Sequence, residues 1–138
     1  MSLVSDSRDQ LKHFIRDTLG CGCADEVFER IDIDSEVGLT RLVVGQRLLI
    51  HLVELEPGDA DAAVFDTLVE RGREERDQHG WNRFRLVLPA SVGDAVWRQR
   101  FARYCEGDGR LHLHFIESQE HARIQALCRL PQNRSAGD

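Results

Sequence analysis

The chain has 138 residues, 41% of them hydrophobic and 30% charged, with a formal net charge of −6. That balance describes one globular domain, long enough to bury about two-thirds of its unfolded surface, and it excludes a disordered chain. The acidic excess argues against a general nucleic-acid or anionic-membrane binder, since both need a basic face.

Lys12 is the only lysine, which excludes most lysine-based mechanisms. No apolar run approaches the roughly 20 residues needed to span a bilayer. The first residues lack the basic and apolar regions of a signal peptide. The expected location is therefore cytoplasmic, with the thiols reduced at rest and no disulfide framework.

The first element is a helix. Leu11, Phe14, Ile15 and Leu19 share one face, after the polar capping candidates Ser5, Asp6 and Ser7. Gly20 stands where a helix commonly ends, because glycine takes the left-handed conformation without a Cβ penalty. Cys21, Gly22 and Cys23 follow, and a second short helix is expected from Ala24. Asp25 and Glu26 suit the positive end of its dipole, and Val27, Phe28 and Ile31 supply its apolar face. Residues 1–30 thus read as two helices joined by a Cys-Gly-Cys turn.

That turn carries the most distinctive chemistry in the chain. A cysteine at a helix N-terminus is stabilised as thiolate, although the carboxylates of Asp25 and Glu26 oppose the effect at Cys23. Gly22 lets both sulfurs face one way. The pair suits a redox dithiol, two thiolates on a soft metal such as zinc or iron, or a nucleophile with a neighbour. The competing reading is that both thiols are small apolar residues packed under a tight turn. The run from Thr18 to Phe28 also resembles a Thr-Leu-Gly-Cys-Gly-Cys stretch, followed shortly by Glu-Val-Phe, in a family of small uncharacterised prokaryotic proteins. The resemblance implies a recurring module and attaches no activity to it. A proline often follows the second cysteine in that family; here Ala24 stands instead.

Downstream, Ile31-Asp32-Ile33 reads as a brief edge strand and Asp34 to Gly38 as a turn. Thr40 to Val44 is a strand, and Gly45-Gln46 suggests a type II′ hairpin turn. The near-continuous apolar run from Arg47 to Glu54 suits a strand buried on both faces, with His51 a packed residue within it. Glu56 to Asp59 is a loop. A helix follows, capped by Asp59 or Asp61, with Val64, Phe65, Leu68, Val69 and Gly72 on one face. Its charged tail, Arg71 to Asp77, reads as a solvated surface.

Asn82 to Leu88 is the next strand, with Phe84, Leu86 and Leu88 on one side. Ser91 and Asp94 form a capping-box-like start to a helix striped by Val96, Trp97, Arg100, Phe101 and Tyr104. Cys105 ends it. Arg110 to Ile116 alternates, placing Leu111, Leu113 and Phe115 inward and His112, His114 and Ile116 on the other face. Ser118 opens a last helix bearing Ile124, Leu127 and Cys128, and residues 131–138 read as a frayed tail.

The order predicts an α/β fold: a mixed sheet of four or five strands, an antiparallel hairpin leading into parallel βαβαβ, with helices packed on the sheet. No phosphate loop of the dinucleotide or P-loop type is present, so no nucleotide cofactor is expected. The working expectation is a thiol-based function of Cys21 and Cys23, redox or metal-binding. A tetrahedral metal would take His112 and His114 as further ligands, with Cys105 and Cys128 as alternates. The alternative is a non-enzymatic interaction domain with structural cysteines, its partner a second copy of the chain or another protein. A carboxylate enzyme at the strand ends finds no constellation to support it.

Overall fold

Every side chain from Leu48 to Val53 is buried, and this segment is the middle strand of a sheet. The computed structural model of the chain describes residues 3–20, 25–93 and 95–129. Within them five strands lie side by side in chain order: β1 (Ile31–Glu36), β2 (Leu39–Val44), β3 (Leu48–Val53), β4 (Arg83–Pro89) and β5 (Leu111–Ile116). The first three are antiparallel neighbours, and the last three are parallel neighbours. The fold is a mixed α/β sheet, as the order of elements predicts.

The helices are α1 (Leu3–His13), α2 (Ala62–His79), α3 (Ala95–Glu106) and α4 (Ser118–Arg129). Strand order rises steadily through β3, β4 and β5, so crossovers of one hand put α2 and α3 on the same face. There Phe65 and Val69 of α2 and Phe101 of α3 pack on Leu49, Phe84 and Leu86. On the other face, Leu11, Ile124 and Cys128 from α1 and α4 pack on Ile50, Leu52 and Val87. The sheet thus separates two cores.

The N-terminal helix carries the expected face: Leu11, Phe14, Ile15 and Leu19 are all buried. Its last turn, Phe14–Thr18, widens to π geometry, with the Leu19 amide donating to the Phe14 carbonyl, and Gly20 takes φ +74°. The second helix is shorter than expected, a 3₁₀ segment at Asp25–Glu29.

Several local readings change. β1 runs on to Glu36, because cross-strand pairing with Leu39–Val44 extends it, and the turn shrinks to Val37-Gly38. Both Gly45 (φ 59°) and Gln46 (φ 56°) have positive φ, the sign pattern of a type I′ rather than a type II′ turn. A Cβ at Gly45 would stand 2.5 Å from Val27 Cγ1, so the turn is also where the 3₁₀ segment closes onto the sheet. Ser91 lies in a 3₁₀ turn, Ala90–Val92, and α3 starts later, at Ala95; Asp94 lies outside the described residues. Val96 is exposed, because the buried stripe of α3 runs through Trp97 and Phe101.

In the charged tail of α2, Arg71, Glu74 and Asp77 are exposed as expected, and two other residues depart from the solvated face. Glu75 reaches back to His51, and Arg76 is among the largest fully buried side chains in the protein. No helix of the described residues is long and apolar enough to cross a membrane.

Candidate functional site: an arginine–imidazole array between two parallel strands

Strand alternation builds the site. On β4, Phe84, Leu86 and Leu88 point into the core under α2 and α3, which sends Arg83, Arg85 and Val87 to the opposite face. On β5 the same alternation sends His112, His114 and Ile116 to that face, as expected from sequence. Val87 and Ile116 join the core under α1 and α4. The parallel register sets Arg85 beside His112 and Val87 beside His114. Two arginines of one strand therefore stand against two histidines of the next.

The contacts are specific. Arg83 Nη1 lies 3.0 Å from His112 Nε2, and Arg85 Nη1 lies 3.0 Å from His114 Nε2. A guanidinium only donates, so each Nε2 must accept, and each imidazole is the neutral tautomer with its proton on Nδ1. Burial, reinforced by the Arg85 and Arg83 charges, pulls His112 down to about 4. Burial, then Arg85, His112 and Arg98, does the same for His114, also to about 4.

Arg85 is the centre of the array. It is 7% exposed, and its Nη1 also donates to the Leu19 carbonyl at 2.7 Å. Its Nε is buried with no hydrogen-bond partner among the described residues. No carboxylate of the described residues pairs with it either. Burial and the neighbouring Arg83 both lower its pKa. The contrast is Arg76, equally buried but bonded to both oxygens of Asp108 and to Asp77. A buried cation lacking a counter-ion is costly by several kcal/mol, and neutral acceptors offset only part of that.

Cys21 and Cys23 lie outside the described residues. The described chain stops at Gly20, one residue after the carbonyl that Arg85 holds, and resumes at Asp25. The other two cysteines are on opposite faces of the sheet and do not meet. Cys105 sits in the core of α2 and α3, its Sγ 3.7 Å from the Leu111 carbonyl, and Cys128 sits in the core of α1 and α4. Burial pushes both thiols up, Cys128 to about 12. Both read as packed, inert side chains.

Among the described residues, no three His, Cys, Asp or Glu side chains come together as a metal site. His112 and His114 share a face, as the metal reading requires. Their Nε2 lone pairs, however, are already occupied by two cationic guanidiniums, which oppose a third cation there. The arginines were missed in the sequence. The signal was available: Arg83 and Arg85 sit at i and i+2 of a strand whose other face is apolar, as His112 and His114 do.

Two further polar clusters read as structural. His51 Nε2 donates to Glu75 Oε1 at 3.0 Å, and Arg41 Nε forms an ion pair with Glu75 Oε2 at 2.6 Å. These tie β2 and β3 to α2. Between α2 and α3, Asp66, Arg73, Arg100, Arg103, Tyr104 and Gly107 line an open groove of about 380 Å³. There Asp66 accepts from both Arg100 and Tyr104, so acid and base already offset one another.

No family model, no curated protein and no solved structure matches the chain.

Proposed function

We propose that the chain is a thiol protein whose working residues are Cys21 and Cys23, acting as thiolates beside the arginine–imidazole array. The observation that carries this reading is Arg85. It is a buried cation without a carboxylate partner among the described residues, and it holds the backbone two residues before Cys21. Covalent geometry keeps the Cys21 Cα within about 7–8 Å of the Leu19 Cα. The guanidinium on the Leu19 carbonyl makes that stretch of backbone electropositive, and electropositive surroundings favour thiolate and distinguish reactive from inert cysteines. The Arg83 and Arg85 charges weigh against zinc or iron held through His112 and His114, so the reading is redox or nucleophilic rather than metal-carrying.

The interaction reading has less support. Asp32, Asp34 and Glu36 line the β1 edge with exposed carboxylates, even with Arg41 bridging the last two. Two copies pairing there would bring like charges together.

The test is the alkylation rate of native protein across pH, with mass mapping of each cysteine and metal analysis of the same sample. Cys21 or Cys23 is expected to label first, with a midpoint below about 7.5. Arg85→Gln is expected to raise that midpoint. Cys105 should be slow and Cys128 unlabelled until denaturation. If all four thiols resist labelling in the native state, the proposal fails. One equivalent of bound zinc or iron would replace it with the metal reading.

A further inference from the structure

We infer that Arg83, His112, Arg85 and His114 form a binding site for a small oxyanion, the carboxylate or phosphate group of a substrate presented to the thiols. The inference rests on the thiol reading for the reacting group alone; the binding itself follows from the array.

Four observations on one face support it. Arg83 is exposed and Arg85 is buried, so the array runs from solvent inward. Neither arginine has a carboxylate partner among the described residues, whereas Arg41, Arg76 and Arg100 all do. The buried Arg85 Nε–H has no acceptor among the described residues. Each imidazole accepts through Nε2 and so carries a proton on Nδ1, as a further donor.

The chemistry of this set selects its ligand class. All the unspent groups are donors and both formal charges are positive, so a metal ion or an ammonium group is rejected. Guanidinium forks match the paired oxygens of carboxylate and phosphate, which a single chloride cannot satisfy. An anion would also supply a counter-charge that no described residue gives Arg85. The groove between α2 and α3 differs in that carboxylates already line it: Asp66 accepts from Arg100 and Tyr104, and Glu70 lies beside the same tyrosine.

The experiment uses the full chain carrying Cys21→Ser and Cys23→Ser, which removes the thiols as a source of negative charge. Inorganic phosphate and acetate are titrated separately at constant ionic strength, and the imidazole resonances of His112 and His114 are followed by NMR. Saturable shifts with a dissociation constant on the order of 1 mM are expected for at least one probe. Saturation by phosphate alone identifies a phosphate-bearing ligand, and by acetate alone a carboxylate. Arg85→Lys, which keeps the charge but loses the fork, should weaken binding about tenfold. The exposed Arg83→Gln, which carries little folding risk, should weaken it about fivefold.

Shifts that never saturate with either probe overturn the inference, as does unchanged affinity in Arg83→Gln. Anion binding here with slow alkylation of the native chain would sink the thiol reading alone. Fast alkylation without anion binding would sink this inference alone.

Discussion

Arg76 and Asp108 meet across the protein: two guanidinium nitrogens of α2 reach both carboxylate oxygens of the turn before β5, at 3.0 and 2.5 Å. Arg76 is almost fully buried, and Asp108 also accepts from the Arg110 amide. The pair closes the end of the sheet where α3 hands the chain to β5. It is what the charged tail of α2 is for.

Removing Arg76 alone should therefore be expensive. Arg76→Ala leaves Asp108 without its counter-ion and opens a void, and a loss of about 3–5 kcal/mol is expected in urea unfolding. Arg76→Met with Asp108→Leu replaces the pair by apolar volume and should recover much of that loss. A double variant no better than Arg76→Ala would show that packing, not charge pairing, sets the cost. Arg76 also holds the Asp108 carboxyl below its ordinary value. That contribution is complete above the unfolded pKa near 4 and is lost as pH falls below it.

Gly72 is a packing requirement of α2. A Cβ there would stand 1.9 Å from Phe84 Cζ, so the helix lies on the ring with no room for a methyl group. Alanine improves helix propensity by about 1 kcal/mol, but overpacking costs roughly 1–3 kcal/mol or more. Gly72→Ala is expected to lower the urea midpoint, and Phe84→Leu in the same chain to restore part of it. A rise in midpoint for Gly72→Ala would refute the close approach.

His51 makes stability fall in mild acid. Burial, with Arg41 acting in the same direction and Glu75 opposing, lowers its pKa from 6.5 to about 4. The folded state holds it neutral, so the unfolded chain binds the extra proton. Its contribution is full above about 6.5 and is lost as pH falls from there through 4. The shift corresponds to roughly 3–3.5 kcal/mol at most. His51→Gln keeps a donor for Glu75 and should flatten the pH dependence of the urea midpoint between those values. An unchanged slope would assign the acid sensitivity to His112, His114 and His121, whose pKa values are lowered too.

Tyr104 is the only tyrosine, so its ionisation can be followed by absorbance without interference. Burial, and then its hydrogen bond to the anionic Asp66, push its pKa up to about 12. Asp66 in turn is held near 2, chiefly by Arg100. Asp66→Asn should bring the phenol midpoint back toward the ordinary value near 10. Equal midpoints in the two proteins would mean that Asp66 and Tyr104 are not bonded in solution.

The strands and helices were legible because each signal is local. Leu48 to Val53 reads as a doubly buried strand from its own composition. The alternation from Leu111 to Ile116 assigns His112 and His114 to one face before any fold is known. Gly20 announces a helix end, since φ +74° suits glycine. The tail of α2 was not legible. Burying Arg76 is favourable only because Asp108, 32 residues away, arrives at the same place.

The same division holds at the candidate site. From the sequence alone come the α/β class, the two-sided burial of β3 and the distinctiveness of Cys21 and Cys23, because composition, period and turn chemistry act over a few residues. Tertiary structure alone decided which charges meet. Parallel register set Arg83 and Arg85 against His112 and His114, and folding brought the Leu19 carbonyl to Arg85, 66 residues on. Electrostatic energy depends on distance in space and on burial, and neither is written in the spacing along the chain.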